Sequence, residues 1–282
     1  MVRLKSELPS KQGARTAAPG THQSLHQLQS EMNVLAVIPA RFASSRFPGK
    51  PLVPIAGITL IERVYRRVCQ AERVSHVLVA TDDQQILDHV HAFGGNGVMT
   101  QANHPSGSDR IAEAAQKYGT ADLVVNVQGD EPLVEPALID SMIAAVASGP
   151  FGCATPVAPI TNPHDLLNPN VVKVAMRSDG VPLYFSRSPI PHCRGKQPEE
   201  WLAEGTWFRH IGLYAYRAEA LRQFVAAPPA MIEQTEQLEQ LRMMELGIPM
   251  ICVKTDYASI GVDTPEDVAA VEQALAAAER FP

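Results

Sequence analysis

The sequence predicts an α/β fold with a doubly wound, mostly parallel sheet and an inserted smaller lobe. Three short apolar runs, at residues 34–38, 76–81 and 123–127, are too short for helices and are typical of strands buried on both faces. Amphipathic helical patterns alternate with these runs, which is the arrangement of βαβ units. Because crossovers between parallel strands are right-handed, the units predict helices on both faces of the sheet.

The predicted helices have recognisable ends. Thr59, with Glu62 three residues later, predicts a capping box at the start of the first helix, and Gly94 follows the end of the second. Near the end of the chain, Thr264 is the expected N-cap and Pro265 the first residue of an alanine-rich helix. The helical patterns between the strands cover residues 60–71, 84–93 and 109–118.

Shifts in composition along the chain predict three regions. Residues 1–31 are rich in small and polar residues, so we expect a disordered leader. Residues 32–282 form a single predicted α/β domain, whose regular alternation loosens between residues 150 and 250 at proline-rich joints. We expect this middle section, with strands at 171–176 and 207–216, to be an inserted lobe that supplies a second substrate pocket and contacts between two subunits.

The composition excludes several classes of function. The chain has 282 residues, of which 45 % are hydrophobic, and a net charge of −6. This acidic balance argues against binding to nucleic acid or to a membrane surface, which both need a basic face. No stretch approaches the roughly 18 uninterrupted apolar residues of a transmembrane helix. The four cysteines are far apart without a CxxC pair, so they predict neither a zinc site nor disulfides and favour the cytoplasm.

The loop after the first strand is typical of a phosphate-binding loop. Arg41, Arg46 and Lys50 lie within about a dozen residues of the strand's carboxyl end, where α/β sheets bind ligands. Cations so close together repel one another unless an anion lies between them, and Ser44 and Ser45 add hydrogen-bond donors. The sequence contains neither a GxxxxGK[ST] nor a GxGxxG motif. The alternative is a solvated basic loop without a ligand.

Two aspartates on other loops at the same sheet edge are candidate metal ligands. Asp130 follows the third apolar run in the segment QGDEP, and Asp263 precedes the last helix in GVDTPED. Carboxylate oxygens suit a Mg²⁺ ion that bridges the oxygens of a triphosphate. The alternative is that Asp130 caps a turn and Asp263 caps only the helix.

The segment IPARFASSRFPGKPL, residues 38–52, resembles the N-terminal signature of nucleotide-sugar cytidylyltransferases, and among them the 3-deoxy-manno-octulosonate (KDO) cytidylyltransferases. Phe47 stands where that family more often has leucine, which is an apolar exchange. Further matching patterns extend the resemblance from about Met32 to the last helix. The resemblance implies a Rossmann-like nucleotide-diphospho-sugar transferase fold, a homodimer, and Asp130 and Asp263 as ligands of Mg²⁺.

The reaction implied by this resemblance transfers CMP from CTP to the anomeric hydroxyl of KDO, giving CMP-KDO and pyrophosphate for lipopolysaccharide synthesis. Arg41, Arg46 and Lys50 would hold the triphosphate while Mg²⁺ on Asp130 neutralises it, so that catalysis consists of positioning and electrostatics. Lys50, Arg41 and Asp130 are therefore the expected catalytic residues. No Ser or Cys lies beside a credible base in a nucleophile motif, so we expect no covalent enzyme intermediate.

The nucleobase side is predicted from a turn of small residues that leads into a helix. The amides and hydroxyls of Ser106, Gly107 and Ser108 suit the edge of cytosine, and a serine at this place also serves as a plain N-cap. The resemblance further implies that Thr81 and Asp82, at the end of the second strand, line the base and the ribose.

A keto-sugar acid needs a cation for its carboxylate and hydrogen bonds for its hydroxyls. Arg110 and Arg187 are the candidate carboxylate ligands. Gln128 lies at the same sheet edge as the phosphate loop and is a further candidate sugar ligand. The period of two in the segment RHIGLY puts His210 and Tyr214 on one face of a strand, and we expect that face to line the sugar pocket.

The segment EQTEQLEQLR supplies the last sugar candidates. Helical spacing aligns Glu233, Glu236 and Gln240 on one face, with Leu238 toward the core. Taken alone, a charged stripe of this kind is usually a solvated helix face. The ExLEQLR pattern of the resembled family favours Glu236 and Gln240 as sugar ligands instead.

Three other functions stay open on the sequence. A cytidylyltransferase for another acidic sugar, such as sialic acid, would share most of this chemistry. A glycosyltransferase would use a finished nucleotide-sugar through Asp130 and Glu131, and it would not release pyrophosphate from CTP. A catalytically silent regulator would bind CTP or Mg²⁺ without consuming either.

Overall fold

A computed structural model describes residues 32–43, 47–257 and 260–280, without the side chains of 278–280. The expected leader, residues 1–31, lies outside the described residues, so its disorder stays a prediction. The described segments belong to one unit, Met32–Pro282. None of the helices described is both long enough and apolar enough to cross a membrane.

Strands and helices alternate through the described part of the chain. The strands are β1 (Val34–Ala40), β2 (Pro54–Ile55), β3 (Ile58–Thr59), β4 (His76–Thr81), β5 (Gly97–Met99), β6 (Leu123–Asn126), β7 (Cys153–Pro159), β8 (Lys173–Met176), β9 (Pro182–Ser186), β10 (Phe208–His210), β11 (Tyr214–Arg217) and β12 (Met250–Lys254). The α-helices are α1 (Leu60–Val68), α2 (Gln84–Ala92), α3 (Gly107–Tyr118), α4 (Pro136–Ser148), α5 (Pro163–Leu167), α6 (Trp201–Glu204), α7 (Ala218–Ala226), α8 (Met231–Glu236), α9 (Gln240–Glu245) and α10 (Pro265–Arg280).

One mixed sheet organises the molecule, with the strand order β5-β4-β1-β6-β11-β7-β10-β8-β9 and with β12 paired to β7. The predicted α/β fold is confirmed: β1 is parallel to β4 and β6, and β4 is parallel to β5. Beyond β6 the neighbouring strands are antiparallel, apart from the parallel pair of β7 and β12. The predicted lobe, residues 150–250, does not form a sheet of its own, because β11 bonds to β6 on one edge and to β7 on the other.

Apolar residues cover both faces of the sheet. In β1, Val34, Ala36 and Ile38 belong to one buried cluster, and Leu35 and Val37 belong to the other. Helices α1, α2, α4 and α10 contribute to the first cluster, and α3, α7 and α9 contribute to the second. Burial on both faces explains why β1 is a continuous apolar run in the sequence. A third, smaller cluster contains Ile160, Leu166, Trp201 and Trp207.

The strand predicted at residues 207–216 is interrupted in its middle. Strand β10 ends at His210, the N–H of Leu213 donates to the carbonyl of Ile211 at 2.8 Å, and β11 begins at Tyr214. The side chains of Ile211 and Leu213 are both buried, so packing in the core holds the chain in this interrupted conformation. The rings of His210 and Tyr214 nevertheless lie 5.4 Å apart, so their predicted common face is confirmed.

The predicted helix of the EQTEQLEQLR segment is broken into two. Helix α8 ends at Glu236, Gln237 takes a left-handed conformation with a φ of 53°, and α9 begins at Gln240. The break lets the carboxylate of Glu233 accept two hydrogen bonds from the guanidinium of Arg242, at 2.7 and 2.5 Å. In a continuous helix, residues nine positions apart are separated by about 13 Å along the axis, so this pair requires the turn. The prediction of one uninterrupted stripe is therefore wrong.

The predicted helix ends are partly confirmed. The capping box at the start of α1 does not form, because the Thr59 side chain bonds to Nε2 of His89 on α2 at 2.7 Å. A contact between neighbouring helices thus replaces the local cap. Helix α2 ends just before Gly94, and α10 begins at Pro265, as the sequence predicts.

The buried pair of Glu233 and Arg242 leads to a prediction about stability. Arg242 also lies over the ring of Phe224, 4.7 Å from its centre. The substitution Glu233→Ala leaves the guanidinium buried without its carboxylate, so we expect the free energy of unfolding in urea to fall by about 3–5 kcal/mol. The matched substitution Glu219→Ala, in the exposed pair of Glu219 and Arg222 on α7, should lower it by less than about 1 kcal/mol. Equal losses in the two variants would contradict this role.

Candidate active site

Lys50, Asp130 and Asp263 meet at the carboxyl edge of the parallel strands. Nζ of Lys50 lies 2.9 Å from Oδ2 of Asp130 and 3.5 Å from Oδ1 of Asp263. The lysine side chain is 15 % exposed, against 32 % and 50 % for the two aspartates, so the carboxylates are the more accessible part of the cluster. The convergence that the sequence predicts for these three distant positions is confirmed.

The loop between β1 and the lysine closes on itself. Gly49 has a left-handed φ of 71°, a conformation that favours glycine, and its N–H donates to the carbonyl of Phe42 at 3.0 Å. A short 3₁₀ turn, Lys50–Leu52, begins directly afterwards and carries the lysine. Ser44, Ser45 and Arg46 lie outside the described residues, so their contacts with phosphate stay predictions.

Backbone contacts explain why Asp130 and Asp263 lie close together. A Cβ atom on Gly129 would lie 2.7 Å from the carbonyl oxygen of Pro39, so only glycine lets the turn after β6 pack this closely against β1. The N–H of Val262 donates to the carbonyl of Asp130 at 2.9 Å. This bond joins the two loops and brings Asp263 beside Asp130.

The donor set of this cluster fits a divalent cation that also binds water and phosphate. Among the residues described, no group of three or more His, Cys, Asp or Glu side chains is arranged to hold a metal. Mg²⁺ commonly takes one or two carboxylates and fills its other positions with water and substrate phosphates. The loop of Asp263 is well held, since the N–H groups of Thr264 and Asp263 donate to Asp267 and lower the pKa of that carboxyl. The two carboxylates therefore suit a metal ion that arrives with a triphosphate.

Arg41 joins the phosphate loop to the segment before α3. Its Nη2 donates to the carbonyls of His104 and Ser106, at 2.9 and 3.2 Å. The side chain of His104 is in turn bonded to the carboxylate of Glu113 on α3. The guanidinium of Arg41 thus holds the backbone at the start of residues 106–108, the predicted nucleobase turn. The predicted contact of Arg41 with the triphosphate stays a prediction.

The nucleobase turn opens helix α3. Ser106 is the N-cap and accepts a hydrogen bond from the N–H of Asp109 at 3.3 Å, so its capping role is confirmed. Gly107 is the first residue of the helix. The hydroxyl of Ser108 donates to Oε2 of Glu239 at 2.7 Å, and the residue is 5 % exposed. The expectation that the Ser108 hydroxyl reads cytosine needs correction, because this hydroxyl points to another protein segment.

Arg110 is an internal residue rather than a sugar ligand. It is fully buried, and its guanidinium donates to Asp82 at 2.9 Å and to the hydroxyl of Thr100 at 2.5 Å. The expectation that it binds the sugar carboxylate is not met, because its charge is already paired inside the protein. Thr81 is also buried, and its hydroxyl accepts the N–H of Asp83. Asp82 is partly exposed and pairs with Arg110, and its predicted contact with the base and the ribose stays a prediction.

His210 is held as a neutral side chain. Its Nε2 lies 2.8 Å from the hydroxyl of Thr155, which donates to the carbonyl of Leu213 at 2.8 Å. Which of the two groups donates in the contact between His210 and Thr155 depends on the tautomer of the imidazole. Burial lowers the pKa of His210 to about 3. Thr155 is not among the residues predicted for the site, although its hydroxyl inside the apolar strand β7 is a signal that could have indicated it.

Glu236 and Arg187 connect α8 to the end of β9. Glu236 accepts hydrogen bonds from the hydroxyl of Ser186 at 2.7 Å and from the N–H of Arg187 at 2.9 Å. The guanidinium of Arg187 donates to the carbonyls of Glu236, Gln237 and Pro169. The structure thus brings together two of the predicted sugar ligands, and it shows that both also hold the backbone around them.

The remaining sugar candidates are Gln128, which is half-buried, and Gln240 and Tyr214, which are buried. Nε2 of Gln128 donates to Asn126 at 3.1 Å, next to the turn that carries Asp130. Gln240 is 3 % exposed, and its Nε2 has no hydrogen-bond partner within the described part of the chain. An unpaired buried amide costs free energy, so this N–H₂ group is a natural donor to a ligand. Tyr214 is buried, which raises the pKa of its phenol well above the usual value.

Comparison with known proteins gives one consistent answer. A family model described as Cytidylyltransferase matches residues 35–252. A 3-deoxy-manno-octulosonate cytidylyltransferase of Geobacter sulfurreducens is 48 % identical over 250 residues, which are 86 % of this chain and all of that protein. The Syntrophotalea carbinolica protein of the same name is 48 % identical over 248 residues, 86 % of this chain and 99 % of that protein.

Solved structures agree with the sequence relatives. A CMP:2-keto-3-deoxy-manno-octonic acid synthetase complexed with CTP superposes with a TM-score of 0.81 at 39 % identity, covering 87 % of this chain and 99 % of that one. A Leptospira borgpetersenii cytidylyltransferase, 16 % identical with a TM-score of 0.58, covers 88 % of each chain and shares the fold. The chain therefore belongs to the cytidylyltransferase family, and within it to the 3-deoxy-manno-octulosonate cytidylyltransferases.

Proposed function

We propose that this cytidylyltransferase moves CMP from CTP to the anomeric hydroxyl of KDO and releases pyrophosphate. The observation that carries the proposal is the cluster of Lys50, Asp130 and Asp263 at the sheet edge. A lysine beside two acceptor-only carboxylates is suited to a nucleoside triphosphate with its metal ion. The names of the relatives supply the substrate, and the binding of CTP to the related synthetase agrees with the nucleotide.

The residues of the cluster have separate tasks in this proposal. Asp130 and Asp263 hold Mg²⁺, which when bound neutralises the phosphate oxygens and so assists departure of pyrophosphate. Lys50 stabilises the negative charge that develops on the phosphates, and Arg41 keeps the nucleobase turn in place through its main-chain contacts. The sugar hydroxyl then attacks the α-phosphorus in line, and the protein contributes position and charge rather than a covalent bond.

The sugar is proposed to bind beside β9, β10 and the two short helices α8 and α9. His210 is neutral and offers its second ring nitrogen, Nδ1, for a hydrogen bond with a sugar hydroxyl, while Gln240 offers its N–H₂ group, which has no partner among the described residues, as a donor. Glu236, at the end of α8, supplies a charged acceptor beside Ser186 and Arg187. Arg187 is the remaining candidate for the sugar carboxylate, since Arg110 is paired internally.

We also propose that the enzyme is a cytoplasmic homodimer that serves lipopolysaccharide synthesis. The support for a dimer is the last strand in the sheet order, β9, which carries Leu183 with 58 % of its surface exposed. Large apolar side chains on an edge strand favour pairing with a second chain. Light scattering coupled to size-exclusion chromatography measures the mass directly, and a monomer at all accessible concentrations would remove this part of the proposal.

One assay separates the candidate functions. The purified full chain is mixed with CTP and Mg²⁺, and pyrophosphate is followed with KDO, with sialic acid and without sugar. We expect release that depends on KDO. Release only with sialic acid would support the other acidic sugar. Consumption of CMP-KDO with an acceptor sugar would support a glycosyltransferase, and binding of CTP without turnover would support a silent regulator.

Lys50→Ala tests the charge that stabilises the triphosphate. Loss of one preorganised cation typically costs about 100- to 1,000-fold in rate, and we expect a fall of that size in kcat/KM for CTP. Lys196→Ala is the control, because Lys196 forms an exposed pair with Glu204, and it should retain wild-type kinetics. Wild-type kinetics in Lys50→Ala would remove the lysine from the mechanism.

Asp130→Asn and Asp263→Asn test the metal site. Each variant replaces a charged ligand by a neutral amide, so we expect kcat to fall about 100-fold or more. The Mg²⁺ concentration that gives half of the maximal rate should rise. Binding of Mn²⁺ in the presence of CTP, followed by electron paramagnetic resonance, should weaken in parallel. Asp179→Asn, in an exposed pair with Arg177, is the control. Unchanged Mn²⁺ binding in both variants would place the metal elsewhere.

A further inference from the structure

One hydrogen bond joins the nucleotide half of the site to the sugar half. Ser108 is the second residue of α3, directly after the nucleobase turn, and Glu239 lies between α8 and α9. The Ser108 hydroxyl donates to Oε2 of Glu239 at 2.7 Å, across 131 positions of sequence. We infer that this bond couples binding of the nucleotide to binding of the sugar, with Glu239 as a positioning residue. The inference rests on the proposed function.

The nucleotide end of this connection is tied to the phosphate loop. Ser106 caps α3, and its carbonyl accepts a hydrogen bond from Arg41. Ser108 follows two residues later on the same first helical turn. A nucleotide that settles on the phosphate loop and the nucleobase turn therefore acts on the backbone that carries the Ser108 hydroxyl.

The sugar end is a short segment with little freedom to move. Glu239 stands between Glu236, which accepts bonds from the end of β9, and Gln240, whose buried amide donor is unpaired within the described residues. Leu238 and Leu241 are buried in the core on either side of it. A shift of the Glu239 side chain would therefore also move the backbone of the two proposed sugar ligands, Glu236 and Gln240.

The surroundings of Glu239 make its orientation specific. Tyr214 and Tyr216 stack at 5.5 Å, and the charge of Glu239 contributes to the raised pKa of both phenols. Arg242, on the other side, is already paired with Glu233. The helix dipole stabilises a carboxylate near the first turn of a helix. The contact of Glu239 with the first turn of α3 is therefore favoured over other orientations of the Glu239 side chain.

This arrangement predicts a measurable coupling between the substrates. Because the bond joins the two halves of the site, we expect binding of each substrate to strengthen binding of the other, and couplings between two sites are typically about 5- to 150-fold. A merely structural contact would instead change stability or weaken both substrates equally, with no effect on their dependence on each other.

Initial rates of the full-length enzyme over a grid of CTP and KDO concentrations measure this coupling. The grid gives the dissociation constant of CTP from the free enzyme and the KM for CTP at saturating KDO, and their ratio is the coupling factor. We expect a factor above about 5 in the wild type and near 1 in Ser108→Ala and in Glu239→Ala, which lacks an acceptor for the Ser108 hydroxyl. The dissociation constant of CTP from the free enzyme should change less than twofold.

Further variants separate positioning from packing. The double variant Ser108→Ala/Glu239→Ala should have the same coupling factor as either single one, because all three lose the same bond. Ser108→Thr keeps a hydroxyl and should retain most of the factor. Glu245→Ala, at the exposed end of α9, is the matched control and should behave as wild type. If Glu239→Ala fails to fold, Ser108→Ala tests the same bond alone.

The outcomes are distinguishable. A wild-type factor of 1, or an unchanged factor in the folded Ser108→Ala variant, overturns the inference while the enzyme still makes CMP-KDO. Further loss in the double variant also overturns it, since the two residues would then act separately. A wild-type protein that forms no pyrophosphate from CTP and KDO would instead refute the proposed function.

Discussion

The site depends on a balance of charge at the sheet edge. Two carboxylates from distant parts of the chain lie side by side there, and like charges at such short range repel unless a cation stands between them. Lys50 is that cation in this structure, at 2.9 Å from Asp130 and 3.5 Å from Asp263. A triphosphate with a bound metal ion meets the same requirement, because the metal ion supplies the positive charge that lies beside the two carboxylates. The cluster is therefore stable without a ligand and remains suited to binding one.

Most of the arginines near the site join segments of the protein. Arg41 and Arg187 donate to main-chain carbonyls, and the buried side chains of Arg110 and Arg242 pair with carboxylates. A guanidinium has five N–H donors in a rigid plane, so it can satisfy several backbone acceptors that would otherwise be buried unpaired. The residue type that best recognises phosphate and carboxylate in a ligand thus also stabilises the loops that surround the ligand. Sequence patterns do not separate these two uses.

Several features follow from the sequence because they depend on local pattern. The continuous apolar runs of β1, β4 and β6 require burial on both faces, and this dictates a parallel core with helices on each side. Parallel strands deliver the loops after β1 and β6 to one edge, so the meeting of Lys50 with Asp130 is a consequence of topology. Pro265 at the first position of α10 similarly places Asp263 just before that helix.

The sugar half of the site is built by contacts between distant segments, which no local pattern in the sequence predicts. The interruption between β10 and β11 exists because Ile211 and Leu213 are buried together, and α8 ends at Glu236 because the pairing of Glu233 with Arg242 requires a turn. Such contacts lie between residues whose distance is not set by a helical or strand period. Periodic burial, which can be read from the sequence, predicts the fold class and the nucleotide edge of the sheet. Packing of side chains from different segments sets which polar groups are paired internally and which remain available to a ligand.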